Sequence, residues 1–314
     1  MIAGQRNDVS LVVFGEFFID LVFYALPKIP RLGEEVKTQS FEKFPGGGLA
    51  TTSLVANSLG TRTAVITRIG KDARDGSSWQ RIARSGISVD GCEVHAHLPT
   101  ATTVCAAVDG DRMMITHDVI NRKLEELLNR RTVNAKIRDA RHLHLACALW
   151  PPKTWGPAIQ QLRRRGLTLS ADIGWNPEVL QSRQLPSVLA NLAFVFPNEA
   201  EAQAMTGEKS LEKAAKQLAR SVRVPVIKLG PDGSLAVQDG KIVRMKPLRV
   251  HSIDATGSGD AFNGGFLHGY LAGWPLEDCL RAGNVCGALA TTRPGGSSAI
   301  PTRKKFAELM SKLR

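Results

Sequence analysis

The stretch Asp254-Ala255-Thr256-Gly257-Ser258-Gly259-Asp260-Ala261-Phe262 combines two carboxylates with a run of small residues, and a helical pattern follows at once. Glycines at a helix N-terminus let backbone N–H groups approach an anion, and the helix dipole favours negative charge there. A carboxylate beside such a cradle can take the proton of an attacking hydroxyl. The pair suits phosphoryl transfer, which asks a protein for positioning, charge stabilisation and a base. The same spacing also fits a glycine-rich turn with an aspartate cap, and spacing alone does not choose between the two. The stretch is not a Walker A loop, because no GxxxxGK[ST] occurs. Nor is it a dinucleotide fingerprint, because Gly257-x-Gly259 lacks the third glycine and lies far from the first strand.

The elements that must position this segment follow from apolar patterning. Ser10 to Phe14 is a short apolar run ending at Gly15, suited to a strand buried on both faces. Leu21 to Ala25 and Glu35 to Phe44 read as extended, with Pro27, Pro30 and Gly33 between them. Gly46-Gly47-Gly48 opens a helix closed by Gly60, Thr63 to Ile69 reads as a strand, and Ser77 to Ser85 as a helix. Thr102 to Val108 and Arg112 to His117 flank Asp109-Gly110, a hairpin signal.

From His142 the chain alternates strands (142–147, 167–171, 192–196, 225–229) with helices (154–165, 198–205, 211–220). A second hairpin turns at Asp239-Gly240, and helices span 257–271, 276–290 and 303–313. Such alternation predicts an α/β fold with a mainly parallel sheet and helices on both faces. One domain over 1–314 is expected, with the extended segments 16–45 and 97–118 forming a small sheet that covers the site.

Composition removes several classes. The longest apolar runs fall well short of the ~20 residues of a membrane-spanning helix, and no secretory leader is visible, so a cytoplasmic location and no membrane partner are expected. Five cysteines, an odd number without CxxC spacing, predict free thiols rather than a disulfide framework. The net charge of +12 is spread over separate clusters such as Arg163-Arg164-Arg165 and Arg303-Lys304-Lys305. No aromatic residues are interleaved with them as a stacking platform needs, so no nucleic-acid partner is expected. A positive field favours anions such as ATP.

The 254–262 segment resembles the C-terminal signature of the ribokinase-like (PfkB) carbohydrate kinases, D-T-x-G-A-G-D, with Ala255 and Ser258 in place of Thr and Ala. Three more features occur in family order: Pro45-Gly46-Gly47-Gly48 through Leu59-Gly60, Asn198 to Glu201 as N-x-x-E after a strand, and Leu229-Gly230-Pro231-Asp232-Gly233 as a nucleotide loop. The resemblance implies a three-layer α/β/α sandwich with a mainly parallel central sheet and a small β lid, using ATP and Mg2+. It implies that Asp260 is the catalytic base and that the backbone of Ala255, Gly257, Ser258 and Gly259 forms the anion hole. It places Asn198 and Glu201 near Mg2+, its waters and the phosphates, and Lys228, Gly230, Gly233 and Asn284 around the nucleotide. Asp254 and Thr256 match a site for a monovalent cation, K+. Read without the family, N-x-x-E is also a capping box.

For the acceptor the resemblance implies Asp20, at the end of Gly15-Glu16-Phe17-Phe18-Ile19-Asp20, and the glycine segment with Gly47, Gly48 and Thr51. An ionised carboxylate accepts from two hydroxyls at once, which suits a vicinal diol. Ribokinase has Asn at the Phe18 position, and Lys and Asn where this chain has Gly48 and Thr51, which argues against ribose and against a sugar phosphate. Phe18 offers an apolar face for a sugar ring or a nucleobase. Asp172-Ile173-Gly174-Trp175-Asn176-Pro177 sits where relatives carry D-x-N-x-R-P, without the Arg. The leading expectation is a sugar kinase. A nucleoside kinase on the same fold is the alternative, and a non-catalytic ligand sensor a third reading. A homodimer through the lid edge is also expected.

Overall fold

The computed structural model describes residues 9–74, 76–108, 111–138 and 140–313. Its framework starts from β1 (Leu11–Gly15), which is buried throughout. Val12 and Phe14 enter one core while Leu11 and Val13 enter another. Alternate side chains of a strand point to opposite faces, so a run that is apolar at every position needs cover on both. The chain continues through β2 (Phe18–Tyr24), β3 (Ser40–Gly46), β4 (Thr63–Ile66), β5 (Arg68–Gly70), β6 (Glu93–His95), β7 (Thr102–Val108) and β8 (Asp111–His117). Then come β9 (His142–Ala146), β10 (Thr168–Asp172), β11 (Phe194–Val195), β12 (Val224–Lys228), β13 (Ser234–Gln238) and β14 (Lys241–Met245).

The large sheet has the order β14-β13-β12-β11-β10-β9-β1-β4. Neighbours from β12 through β4 are parallel, and the β12–β13–β14 edge is antiparallel. On one face Leu127, Ile137, Trp155, Ile159, Leu185 and Ala215 close the first core. On the other, the helices Gly47–Ser58, Ser77–Ala83, Ser258–Leu271 and Leu276–Ala290 bring Leu49, Trp79, Ile82, Phe266 and Leu280. The result is the three-layer α/β/α arrangement.

One contact in the second layer aims the site. Phe266 meets Phe194 and Phe196 edge-on, with ring centroids 5.1 Å apart in each pair. Phe194 opens the two-residue β11 and Phe196 follows its last residue, so this cluster pins the helix Ser258–Leu271 along that strand. In parallel sheets the strand C-termini form the ligand-binding edge.

A separate four-stranded sheet, β3-β2-β7-β8, comes from the segments expected to form it. β2 pairs antiparallel with β3 and parallel with β7, over a small core of Val22, Phe44 and Cys105. β3 begins only at Ser40, later than the extended segment expected from Glu35, and residues 25–39 form no strand, while β2 begins earlier than expected, at Phe18. The turn expected at Asp109-Gly110 lies outside the described residues. The strand expected at 63–69 divides: β4 stays in the large sheet and β5 pairs with β6 in a two-stranded ribbon. The Thr67 carbonyl accepts from Glu93 N–H at this break. Among the described residues, no helix is long and apolar enough to cross a membrane.

Candidate active site

The helix Ser258–Leu271 begins in a tight corner. Gly257 caps it at φ 67°, and a Cβ there would lie 2.7 Å from Gly296 Cα. Only glycine satisfies both the left-handed backbone and the close approach. The first helical bond runs from Ala261 N–H to Gly257 C=O at 2.9 Å, so the N–H groups of Gly259 and Asp260 precede the ladder and can meet an anion. Asp254 braces this corner. Its Oδ1 accepts from Thr256 N–H (2.8 Å) and Thr256 Oγ1–H (2.6 Å), and its Oδ2 from Gly295 N–H (2.8 Å).

Asp260 sits in the first turn, half-buried. Thr52 Oγ1–H donates to its carbonyl at 3.0 Å, linking it to the helix Gly47–Ser58. A Cβ on Gly48 would come within 3.0 Å of Asp260 Oδ1 and 3.2 Å of Ala146 Cβ, so the missing side chain leaves room beside the carboxyl. The Asp260 carboxyl is pushed up to about 7, first by burial and then by the Asp172 charge, against the pull of Lys228.

On one side of this corner opens a cavity of about 670 Å³. Gly230, Gly233, Ala255, Ser258, Gly259 and Asn284 are among its lining residues, as is Lys228. Gly233 (φ 91°) packs against the backbone at Met245 and Pro247, which no side chain would allow. Asn284 is buried, and its Nδ2 donates to the carbonyls of Met245 (3.1 Å) and Lys246 (2.9 Å), holding the cavity wall.

Asn198 and Glu201 form the capping box that their spacing also allowed. Asn198 N–H donates to Glu201 Oε2 at 2.8 Å, and Glu201 N–H donates to Asn198 Oδ1 at 2.9 Å. These bonds engage one oxygen of each side chain. Burial, together with the nearby Asp172 charge, raises the Glu201 carboxyl above its ordinary value.

Toward the small sheet, Asp20 lies on β2 against Gly46, where any side chain would strike its carboxyl. Burial, with Asp254 adding, pushes Asp20 up to about 7. A Cβ on Gly47 (φ 82°) would fall 2.8 Å from Phe18 Cδ2, so the Phe18 ring covers the start of the helix. Thr51 is buried within that helix. Trp175 is 62% exposed, and Asn176 caps the short helix Pro177–Leu180 through Val179 N–H. The structure thus brings Asp20, Phe18, Gly47, Gly48 and Asp260 together, while Thr51 is an interior residue.

Sequence reading missed Glu16, Thr52 and the Asp172–Lys228 contact. Burial and the Asp118 charge push the Glu16 carboxyl up to about 7. A carboxylate ending a parallel strand, as Asp172 does, is the signal that would have drawn attention to it.

The sequence profile of the pfkB family carbohydrate kinases matches residues 8–303. The chain belongs to this family. As a pfkB-family member it is a phosphotransferase, and its relatives are kinases of sugars and nucleosides. It is 26% identical over 308 residues to the ribokinase of Haemophilus influenzae, covering 96% of this chain and 98% of that one. It is 29% identical over 283 residues to the cytidine kinase of Thermococcus kodakarensis, covering 88% and 93%. An E. coli protein solved in complex with ATP and Mg2+ superposes with a TM-score of 0.82 at 20% identity, covering 96% of this chain and 99% of that one. The expected fold and family are therefore correct.

Proposed function

We propose that the chain transfers the γ-phosphoryl group of ATP to a hydroxyl of a small neutral sugar, working as one kinase domain with the small sheet as its lid. The observation that carries this reading is the place of Asp260. Its carboxyl stands beside the side-chain-free Gly48 and the free N–H groups of the helix start, between the 670 Å³ cavity and the Asp20 side. ATP occupies the cavity lined by Lys228, Gly230, Gly233 and Asn284. The acceptor hydroxyl gives its proton to Asp260, its oxygen attacks the γ-phosphorus, and ADP leaves. The N–H groups around Gly257 to Asp260 meet the charge on the transferring phosphoryl. Asp20 grips neighbouring hydroxyls, with Phe18 and Gly47 beside the ring.

The capping box leaves Glu201 Oε1 for Mg2+ or its waters, and the Asn198 Nδ2–H groups as donors to water or phosphate oxygens. The ion would supply charge neutralisation at the phosphates. Asp254 and Thr256 are proposed to stand beside a K+ site, supported by the oxygen-rich loop that Asp254 ties to Gly295. The free state of all five cysteines supports a reducing, cytoplasmic setting. A homodimer through the edge of the small sheet is supported by the exposed side chains of Met113, Met114 and Ile115 on β8.

A nucleoside acceptor is the second reading, favoured by the Phe18 ring over Gly47 and by the likeness to the cytidine kinase. The deciding experiment is ADP formation with Mg2+-ATP across hexoses, pentoses, sugar acids and nucleosides, with and without K+. Turnover with one class names the acceptor. ATP binding without turnover of any acceptor would overturn the kinase reading in favour of a ligand sensor.

A further inference from the structure

β10 and β12 are second neighbours in the large sheet, separated by β11, which is only two residues long. Beyond Val195 the chain still bonds both neighbours, Phe196 N–H to the Ala171 carbonyl (3.0 Å) and Lys228 N–H to the Pro197 carbonyl (2.9 Å). The last residue of β12, Lys228, and the last of β10, Asp172, meet across this intervening segment with a 2.5 Å contact between Nζ and Oδ2. Spanning two strand spacings, about 10 Å, takes a long side chain against a short one. Asn263 Nδ2 donates to the same Asp172 oxygen at 2.6 Å, from a fully buried position one turn beyond Asp260. The pair is mostly dry, with 13% of the lysine and 10% of the aspartate side chain exposed. Lys228 Nζ lies 3.1 Å from where a Cβ on Gly259 would stand.

We propose that Asp172 is a positioning residue of the phosphoryl-transfer site. Its carboxylate holds the Lys228 ammonium against Gly259, so a fixed positive charge stands behind the backbone N–H groups of the anion hole. The inference rests on the kinase reading above and adds a part to it. Lys228 has two competing partners, because Glu201 and Asp260 also attract it. A lysine free to pair with Asp260 would hold the base ionised and weaken it as a proton acceptor. Asp172, fixed in turn by Asn263, keeps the ammonium on the phosphate side. The charged groups acting on Asp260 are then Asp172 from β10, Lys228 from β12, Asp20 from β2 and Glu201 from the helix Glu199–Thr206.

The test reads the Asp260 titration in the unliganded protein by carboxyl-labelled 13C NMR, with Asp260→Asn identifying the resonance. Asp172→Asn removes a negative charge and frees Lys228, so the Asp260 midpoint should fall by about one unit or more. Lys228→Met should move it up. The double variant should return it between the two. In the same variants kcat should drop while KM for the acceptor holds. An unchanged Asp260 midpoint in Asp172→Asn, or a shift in the same direction as in Lys228→Met, overturns the proposal. A melting-temperature loss without any midpoint shift makes Asp172 a structural brace only and overturns it equally. The titration needs no turnover, so it stands even where an acceptor panel gives none, and that outcome counts against the kinase reading alone.

Discussion

The two halves of the site are made of different materials. The side proposed for the nucleotide leans on backbone, with a left-handed Gly257, a close-packed Gly233 and N–H groups at a helix start, joined by the side chains of Lys228 and Asn284. The side proposed for the acceptor is mainly side chains: Asp20 and Phe18 on the small sheet, with Glu16 near the start of the same segment. A phosphate presents the same oxygens in every reaction of this kind, and backbone N–H groups suffice for it. Acceptors differ in their hydroxyls and rings, and only side chains can sort them. The first half therefore identifies the chemistry, while the second decides what it is done to.

Substitutions on each half should separate along this line. The largest effect is expected at their junction. Asp260→Asn should lower kcat by about 10²-fold or more, with ATP affinity retained in a titration of the unreacted complex. Next is Gly257→Ala, which combines a left-handed backbone with a clash at Gly296. It should cost at least ~1 kcal/mol of stability and lower turnover with every acceptor alike, since it deforms the common half. Asp20→Asn should raise KM for the acceptor about tenfold, as expected for weakened hydrogen bonds to a charged group, while KM for ATP stays constant. Equal loss for both substrates in Asp20→Asn would erase the division of labour. Asn284→Ala should be milder, a rise of a few-fold in KM for ATP with a small drop in melting temperature from two lost bonds to the cavity wall.

Proton linkage gives a smaller, signed effect. Asp260 rises from 3.8 in the open chain to about 7 in the fold. The folded state then holds a proton that the unfolded state has lost, so this group's stabilisation is present below pH 3.8 and disappears as pH rises through 7. Asn at this position does not titrate. The melting temperature of Asp260→Asn, relative to the parent, should therefore be more favourable at pH 8 than at pH 5. Catalysis has the opposite requirement, because the base works only when ionised. kcat/KM should climb with pH through about 7 and then level.

Legibility in the sequence follows the same division. Gly60, Asn198-x-x-Glu201 and the Gly257 corner carry their structural meaning locally, through a positive φ or a capping bond, and their elements lie where the pattern puts them. The large sheet was readable because its strands are apolar on both faces. The break at Thr67 was not, since β4 and β5 share one continuous pattern and only the distant partner at Glu93 separates them. The helix Arg131–Arg138 and the 3₁₀ turns before it were also missed, being short and flanked by charges. Asp172 and Lys228 lie 56 positions apart and meet only through the order of the sheet, which sets the ends of β10 and β12 one strand apart. Thr52 was hidden for another reason, as a buried helical threonine looks like packing until its hydroxyl is seen on the Asp260 carbonyl.

The small sheet has a consequence for how ATP is spent. Its four strands join the rest of the molecule at four crossings, and each is tied by hydrogen bonds. Asp72 holds Thr100 through the backbone N–H (3.0 Å) and the hydroxyl (2.9 Å), and Arg68 holds the carbonyls of Ile120 (3.2 Å) and Arg122 (3.1 Å). The other two, Gly15 to Phe17 and Gly46 to Gly47, are held by Glu16 N–H on the Ala146 carbonyl (3.2 Å) and by the Ser297 hydroxyl on the Pro45 carbonyl (2.9 Å), beside Asp20 and Phe18. Tied at every crossing, the sheet carries Asp20 and Phe18 on a stiff mount over Gly46 and Gly47. On the proposed reading, such a mount would fix where an acceptor hydroxyl meets Asp260, and water alone, lacking the grip of Asp20, would be poorly aligned there, which would keep the loss of ATP to hydrolysis low.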